Sequence, residues 1–101
     1  MEKLSKAIKS HMSIQIPTAG ENDIYADFIS ELIETDSYYL GMAFSVVNGR
    51  EVTIDFHYIE ALISTFQTSL TDIEKHKCDM YVKSLCRICD LLQEVKNGVR
   101  S

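Results

Sequence analysis

The chain has 101 residues, of which 46% are hydrophobic and 25% charged, and a formal charge of −5 at neutral pH. This length supports one core and not two, and the composition is ordinary globular usage, far from the low hydrophobicity and high net charge of disorder. The negative balance argues against generic affinity for nucleic-acid phosphates or anionic lipid; no apolar run approaches the roughly 18 residues of a membrane span, and Met1 to Met12 lacks the unbroken apolar stretch of a secretory signal.

In the first segment Leu4, Ala7, Ile8, His11 and Met12 recur at i, i+3, i+4, i+7 and i+8, which predicts a short amphipathic helix within residues 1–12, ending before Pro17. Residues 13–20 read as a linker in which Ile14 and Ile16 pack without a strand partner. Thr18 and Glu21 have capping-box spacing, and Asn22 or Asp23 caps equally well, so the main bundle, residues 21–97, is expected to begin near residue 21.

Tyr25, Phe28, Ile29, Leu32 and Ile33 then form a helical apolar stripe. A helix continuous to Val47 sets Asp36 in the middle of that stripe, and burying an unpaired carboxylate is expensive. The good cap residues Thr35, Asp36 and Ser37 therefore favour a kink or break, followed by a new helix over Tyr38 to Val47 that is apolar around most of its circumference. Asn48 and Gly49 make a turn. Thr53 and Asp55 are candidate caps for a helix carrying Phe56, Ile59, Leu62, Ile63, Phe66 and Leu70, with Val52 to Ile54 alternatively a short extended piece. Thr71 and Glu74 form a capping box ahead of the best-defined element, Asp72 to Val95, which stops at Asn97 and Gly98. The fold expected is a single all-α domain, an up-and-down bundle of about four main helices plus a short N-terminal helix.

Residues 13 to 49 contain six acids and no lysine or arginine. Asp23, Asp27, Glu31 and Glu34 are spaced i, i+4, i+8 and i+11, which confines four carboxylates to a strip about 80° wide on one helix face. Like charges at that spacing destabilise a helix, and the helix dipole offsets this only in the first turn. Two readings follow: a solvated face neutralised by Lys3, Lys6 and Lys9, or a docking strip for a protein with a basic surface. Tyr38 and Tyr39 are adjacent, hence hard to bury together, and with Met42 they supply an apolar patch beside the strip. Phe44, Met80 and Leu91 add apolar surface beyond a minimal core, which suggests a partner or homodimer interface.

Cys78, Cys86 and Cys89 all fall in the last helix, where they cannot staple distant segments, and point to a reducing, cytosolic setting. Cys78 and Cys89 lie about 16 Å apart along a straight helix, and Cys86 with Cys89 offers zinc only two ligands. The Cys-x-x-Cys sits deep in the helix, away from the N-terminal position that lowers a thiol pKa, so core packing is the expectation and a metal or redox site with His76 the alternative. His11, His57 and His76 belong to different elements, and there is neither a phosphate-cradling glycine loop nor a nucleophile elbow. The pattern predicts no catalytic residue, metal or cofactor. It predicts a small acidic regulator of inhibitor, antitoxin, immunity or adaptor type that occludes a partner protein through Asp23, Asp27, Glu31, Glu34, Tyr38, Tyr39 and Met42. The alternatives are a metal-dependent or redox helical protein built on Cys78, Cys86, Cys89 and His76, and a structural subunit of a homo-oligomer.

Overall fold

A computed structural model describes residues 2–17 and 23–98, the side chain of Asp23 excepted. Four helices account for most of them: α1 (Glu2–Met12), α2 (Asp23–Val47), α3 (His57–Ser69) and α4 (Asp72–Lys96), with no strand among the described residues. The all-α bundle expected from the periodicity is what the chain forms. The Thr18/Glu21 cap falls outside the described residues.

Local signals place most of the boundaries. The α1 stripe Leu4, Ile8 and His11 is buried, and α1 packs mainly on α4 and also touches α2, but does not reach α3. Ile14 and Ile16 of the connector are half-buried against the core. After α2 the chain turns at Gly49, whose φ of 79° is open to glycine at little cost, while its N–H donates to the Val46 carbonyl and Arg50 N–H to that of Ser45. At the head of α4 the Thr71 hydroxyl accepts from Glu74 N–H and the Glu74 carboxylate accepts from Thr71 N–H, the reciprocal capping box the sequence predicts.

The expected break at residues 35–37 does not occur: α2 is one helix of 25 residues. The objection to continuity was the cost of an unpaired buried carboxylate, and Asp36 is buried but paired, to His11 of α1 and Tyr81 of α4. With that cost offset, nothing in residues 35–37 outweighs the helical hydrogen bonds.

Buried side chains of all four helices form one core, with Phe28, Leu32, Leu62, Leu85, Ile88 and Leu92 among its most enclosed members. Leu91, expected to be surplus apolar surface, belongs to that core, whereas Phe44 and Met80 are exposed as expected. Packing rather than intrinsic propensity sustains helices of this kind.

Gly41 lies on the exposed side of α2, and a Cβ added there meets nothing within 4 Å. Gly41→Ala is therefore expected to stabilise the protein by about 0.5–1 kcal/mol, by removing the backbone entropy glycine loses in a helix. A urea denaturation midpoint that does not rise contradicts this.

Candidate functional site

The acidic strip and its neighbours resolve into a groove between α2 and α3. Glu31, Glu34, Thr35 and Tyr38 of α2 face Tyr58 and Ala61 of α3 across a cleft of about 260 Å³. The Tyr38 ring stands edge-on to Tyr58 with centroids 5.2 Å apart. Asp27 and Glu34 are exposed and Glu31 half-buried. None of the three makes an ion pair with a described residue, so Lys3, Lys6 and Lys9 do not neutralise the strip; Lys6 pairs instead with Glu2 on its own helix, at 3.6 Å. Neither α2 nor α3 contains a lysine or arginine. Asp27 and Met42 lie outside this cleft, Met42 half-buried against the core, and the Asp23 side chain is outside the described residues.

Tyr39 does not belong to any surface. It is 0% exposed, and its hydroxyl donates to the Asp55 carbonyl at 2.7 Å and accepts from Ile59 N–H at 3.1 Å. The Tyr38 hydroxyl accepts from Asp55 N–H at 3.0 Å, and the Asp55 carboxylate accepts from His57 N–H at 2.8 Å. These contacts satisfy backbone groups at the N-terminus of α3, where N–H groups have no intrahelical partner. Adjacent tyrosines that looked awkward to bury are thus both used to fix the α3 corner, and only Tyr38 also lines the groove.

A second cluster escaped sequence reasoning. Asp36 accepts from the Tyr81 hydroxyl at 2.9 Å through Oδ2, while His11 Nε2 bonds to its Oδ1, and His11 Nδ1 lies 2.8 Å from Ser84 Oγ. The His11 ring packs on Tyr81 with centroids 4.5 Å apart. As a carboxylate Asp36 only accepts, so His11 Nε2 carries the proton between them. Nδ1 then accepts the Ser84 hydroxyl proton or, in the imidazolium form, donates to Ser84 and leaves that proton free to turn outward. The connectivity is that of a nucleophile, base and orienter. Ser84 nevertheless sits inside α4, where backbone N–H groups are committed to helical carbonyls, so α4 supplies no backbone oxyanion donors. The signal in the sequence was two polar residues, His11 and Asp36, each interrupting an apolar stripe and each able to satisfy the other.

Ser84 also reaches the wall of a cleft of about 410 Å³ between α1 and α4, lined by Lys3, Lys6, Ala7, Ser10, Lys83, Ser84 and Arg87. The cysteines lie elsewhere: Cys78 and Cys89 are buried, and the half-buried Cys86 faces α3. Burial pushes all three thiols up, with nearby Asp and Glu side chains adding to the shift, so they are weaker nucleophiles and ligands than an exposed thiol. Among the described residues no three His, Cys, Asp or Glu side chains are grouped to hold a metal ion, and no helix is long and apolar enough to cross a membrane. Comparison with protein-family models, curated proteins and solved structures gives no match, so the functional reading rests on this chain's own residues.

Two tests follow from the buried groups. Asp36→Ala leaves the His11 imidazole and the Tyr81 hydroxyl without their acceptor and is expected to cost about 3–5 kcal/mol in urea denaturation, with most of the loss recovered in His11→Leu/Asp36→Leu/Tyr81→Phe, which removes all three buried polar groups. Equal destabilisation by the single and triple variants contradicts the pairing. Burial pushes the Tyr39 hydroxyl up to about 12, opposed only in part by the Ile59 N–H, and raises Tyr81 as well, reinforced by the hydrogen bond to Asp36. Between pH 10 and about 12 the unfolded chain has therefore released protons that the folded protein retains. Stability present below that window falls through it, and Tyr39→Phe makes the fall shallower; a urea midpoint that stays level across it refutes the assignment.

Proposed function

We propose that this chain is a protein-binding regulator of inhibitor, antitoxin, immunity or adaptor type, which occludes a partner carrying a basic surface and docks it along the α2–α3 groove. The carrying observation is that α2 and α3 contain no lysine or arginine while Asp27, Glu31 and Glu34 lack ion pairs among the described residues. An acidic face of this kind steers a basic partner at encounter, and the Tyr38–Tyr58 wall supplies the rigid amphipathic contact area that interface centres favour. The partner's cations gain carboxylates whose charges repel one another along the free helix, so association relieves a cost that the isolated chain carries. Three free thiols and no disulfide fit a reducing, cytosolic compartment.

Self-association is the second reading, favoured by large apolar side chains left exposed on α2 and α4: Ile33, Phe44, Ile73 and Met80. Ile33 and Phe44 are 11 residues apart, which returns them to nearly the same side of α2.

Affinity capture from host lysate separates the two. With Glu31→Lys/Glu34→Lys compared against the native chain, and both folds checked by circular dichroism, a stoichiometric basic partner should be retained by the native chain and lost by the variant. Retention by both forms removes the acidic groove as the docking surface. Capture by neither, with a light-scattering mass that rises with concentration, transfers the reading to self-association.

A further inference from the structure

The charges of this chain are sorted by helix in a way the net value of −5 conceals. Apart from Arg50, every lysine and arginine among the described residues lies in α1 or α4, and four of them, Lys3, Lys6, Lys83 and Arg87, line the cleft between those two helices. No carboxylate lines that cleft. Lys6 and Lys83 make exposed i, i+4 pairs with Glu2 and Asp79, at 3.6 and 3.0 Å, the kind of contact that a better acceptor displaces at little cost. Lys3 and Arg87 have no ion pair among the described residues.

Two hydroxyls stand among the cations on a wall that is otherwise mostly apolar. Ser84 contributes its hydroxyl from α4, fixed by the hydrogen bond to His11, which is in turn locked against Asp36 deep in the core. Ser10 adds a second hydroxyl from α1. The arginine and three lysines of this lining match the multiply accepting oxygens of a phosphate, which Arg binds in a bidentate manner and Lys as a point charge; the Ser10 hydroxyl is a further donor, and Ser84 becomes one in the form in which His11 Nδ1 donates to its oxygen.

We propose that the α1–α4 cleft binds a compact phosphorylated small molecule, a phosphate monoester or diphosphate, held by Lys3, Lys6, Lys83 and Arg87 against the Ser84 hydroxyl. Its volume, about 410 Å³, lies within the range of small-ligand sites, roughly 300–1,000 Å³. An extended polyanion is disfavoured by the same charge distribution. A strand of phosphates longer than the cleft runs on over a molecule of net negative charge, whose repulsion acts over about 8 Å at physiological salt, whereas a compact anion sees chiefly the four cationic residues that line it. The site is separate from the α2–α3 groove, with which it shares no lining residue.

The test is titration of the full chain with inorganic pyrophosphate at constant ionic strength, followed by calorimetry and by amide NMR shifts. Saturable binding is expected, with a dissociation constant of about 1 mM or below and shifts concentrated at residues 3–10 and 83–87. Lys83→Gln/Arg87→Gln, both at exposed positions, should weaken it by about tenfold or more, and Ser84→Ala by a smaller factor. Glu31→Lys/Glu34→Lys should leave the shifts at those residues in place, which keeps this test distinguishable from that of the docking groove. The proposal is overturned by shifts that grow without saturating or spread over all lysines alike, or by undiminished affinity in Lys83→Gln/Arg87→Gln. A single-stranded RNA oligomer that binds the cleft when pyrophosphate does not overturns the compact-ligand class.

Discussion

A carboxylate in the middle of an apolar helix face has to find partners or expel the helix from the core, and Asp36 finds them on two other helices. His11 comes from α1, 25 residues earlier, and Tyr81 from α4, 45 residues later. Three helices are thereby tied to one another at a single polar point, since sliding any of them by a turn separates an acceptor from its donor. Apolar contacts alone tolerate such slippage better, because one aliphatic surface packs against many others. The cluster therefore ties the arrangement of α1, α2 and α4 to one set of partners.

The same network runs from the core to the surface. Asp36 orders His11, His11 orders Ser84, and Ser84 stands among the cations of the α1–α4 cleft. At the other side of α2, Tyr38 and Tyr39 tie residues 55–59 into place, and with them the N-terminus of α3. Tyr38 then completes the wall of the acidic groove. Each surface feature thus rests on a buried or half-buried hydrogen bond of α2, the helix on which the rest of the bundle is assembled. Such anchoring limits side-chain freedom at both surfaces before any ligand or partner arrives, which lowers the entropy lost on binding.

Charge separation follows from the assembly as well. The acids of α2 and the cations of α1 and α4 are not brought together: Lys3 and Lys6 of α1 line the cleft toward α4, not the strip of α2. One side of the molecule is left with carboxylates and no lysine or arginine, and the α1–α4 cleft with cations and no carboxylate in its walls. Net charge is a sum over the whole chain, and what a partner meets is the local field.

The sequence by itself determined the helices, because periodicity, capping and glycine stops act within a few residues of one another. The α1 stripe, the Thr71–Glu74 box and the stop after Lys96 are of this kind. It also identified the acids and Tyr38 that meet in the α2–α3 groove, since i, i+4 spacing fixes which side chains share a face. It misjudged residues 35–37 and Tyr39 for one reason: whether a polar group in an apolar stripe breaks a helix, or an extra aromatic ring stays outside, depends on partners that the fold brings from elsewhere. For Asp36 these are His11 and Tyr81, and for Tyr39 they are Asp55 and Ile59, 16 and 20 residues away. The basic cleft was hidden likewise, because Lys3 and Lys6 meet Lys83 and Arg87 only once α1 packs on α4. Local chemistry therefore settled most helix boundaries, whereas tertiary packing decided that α2 runs unbroken through Asp36 and which charges and hydroxyls stand together.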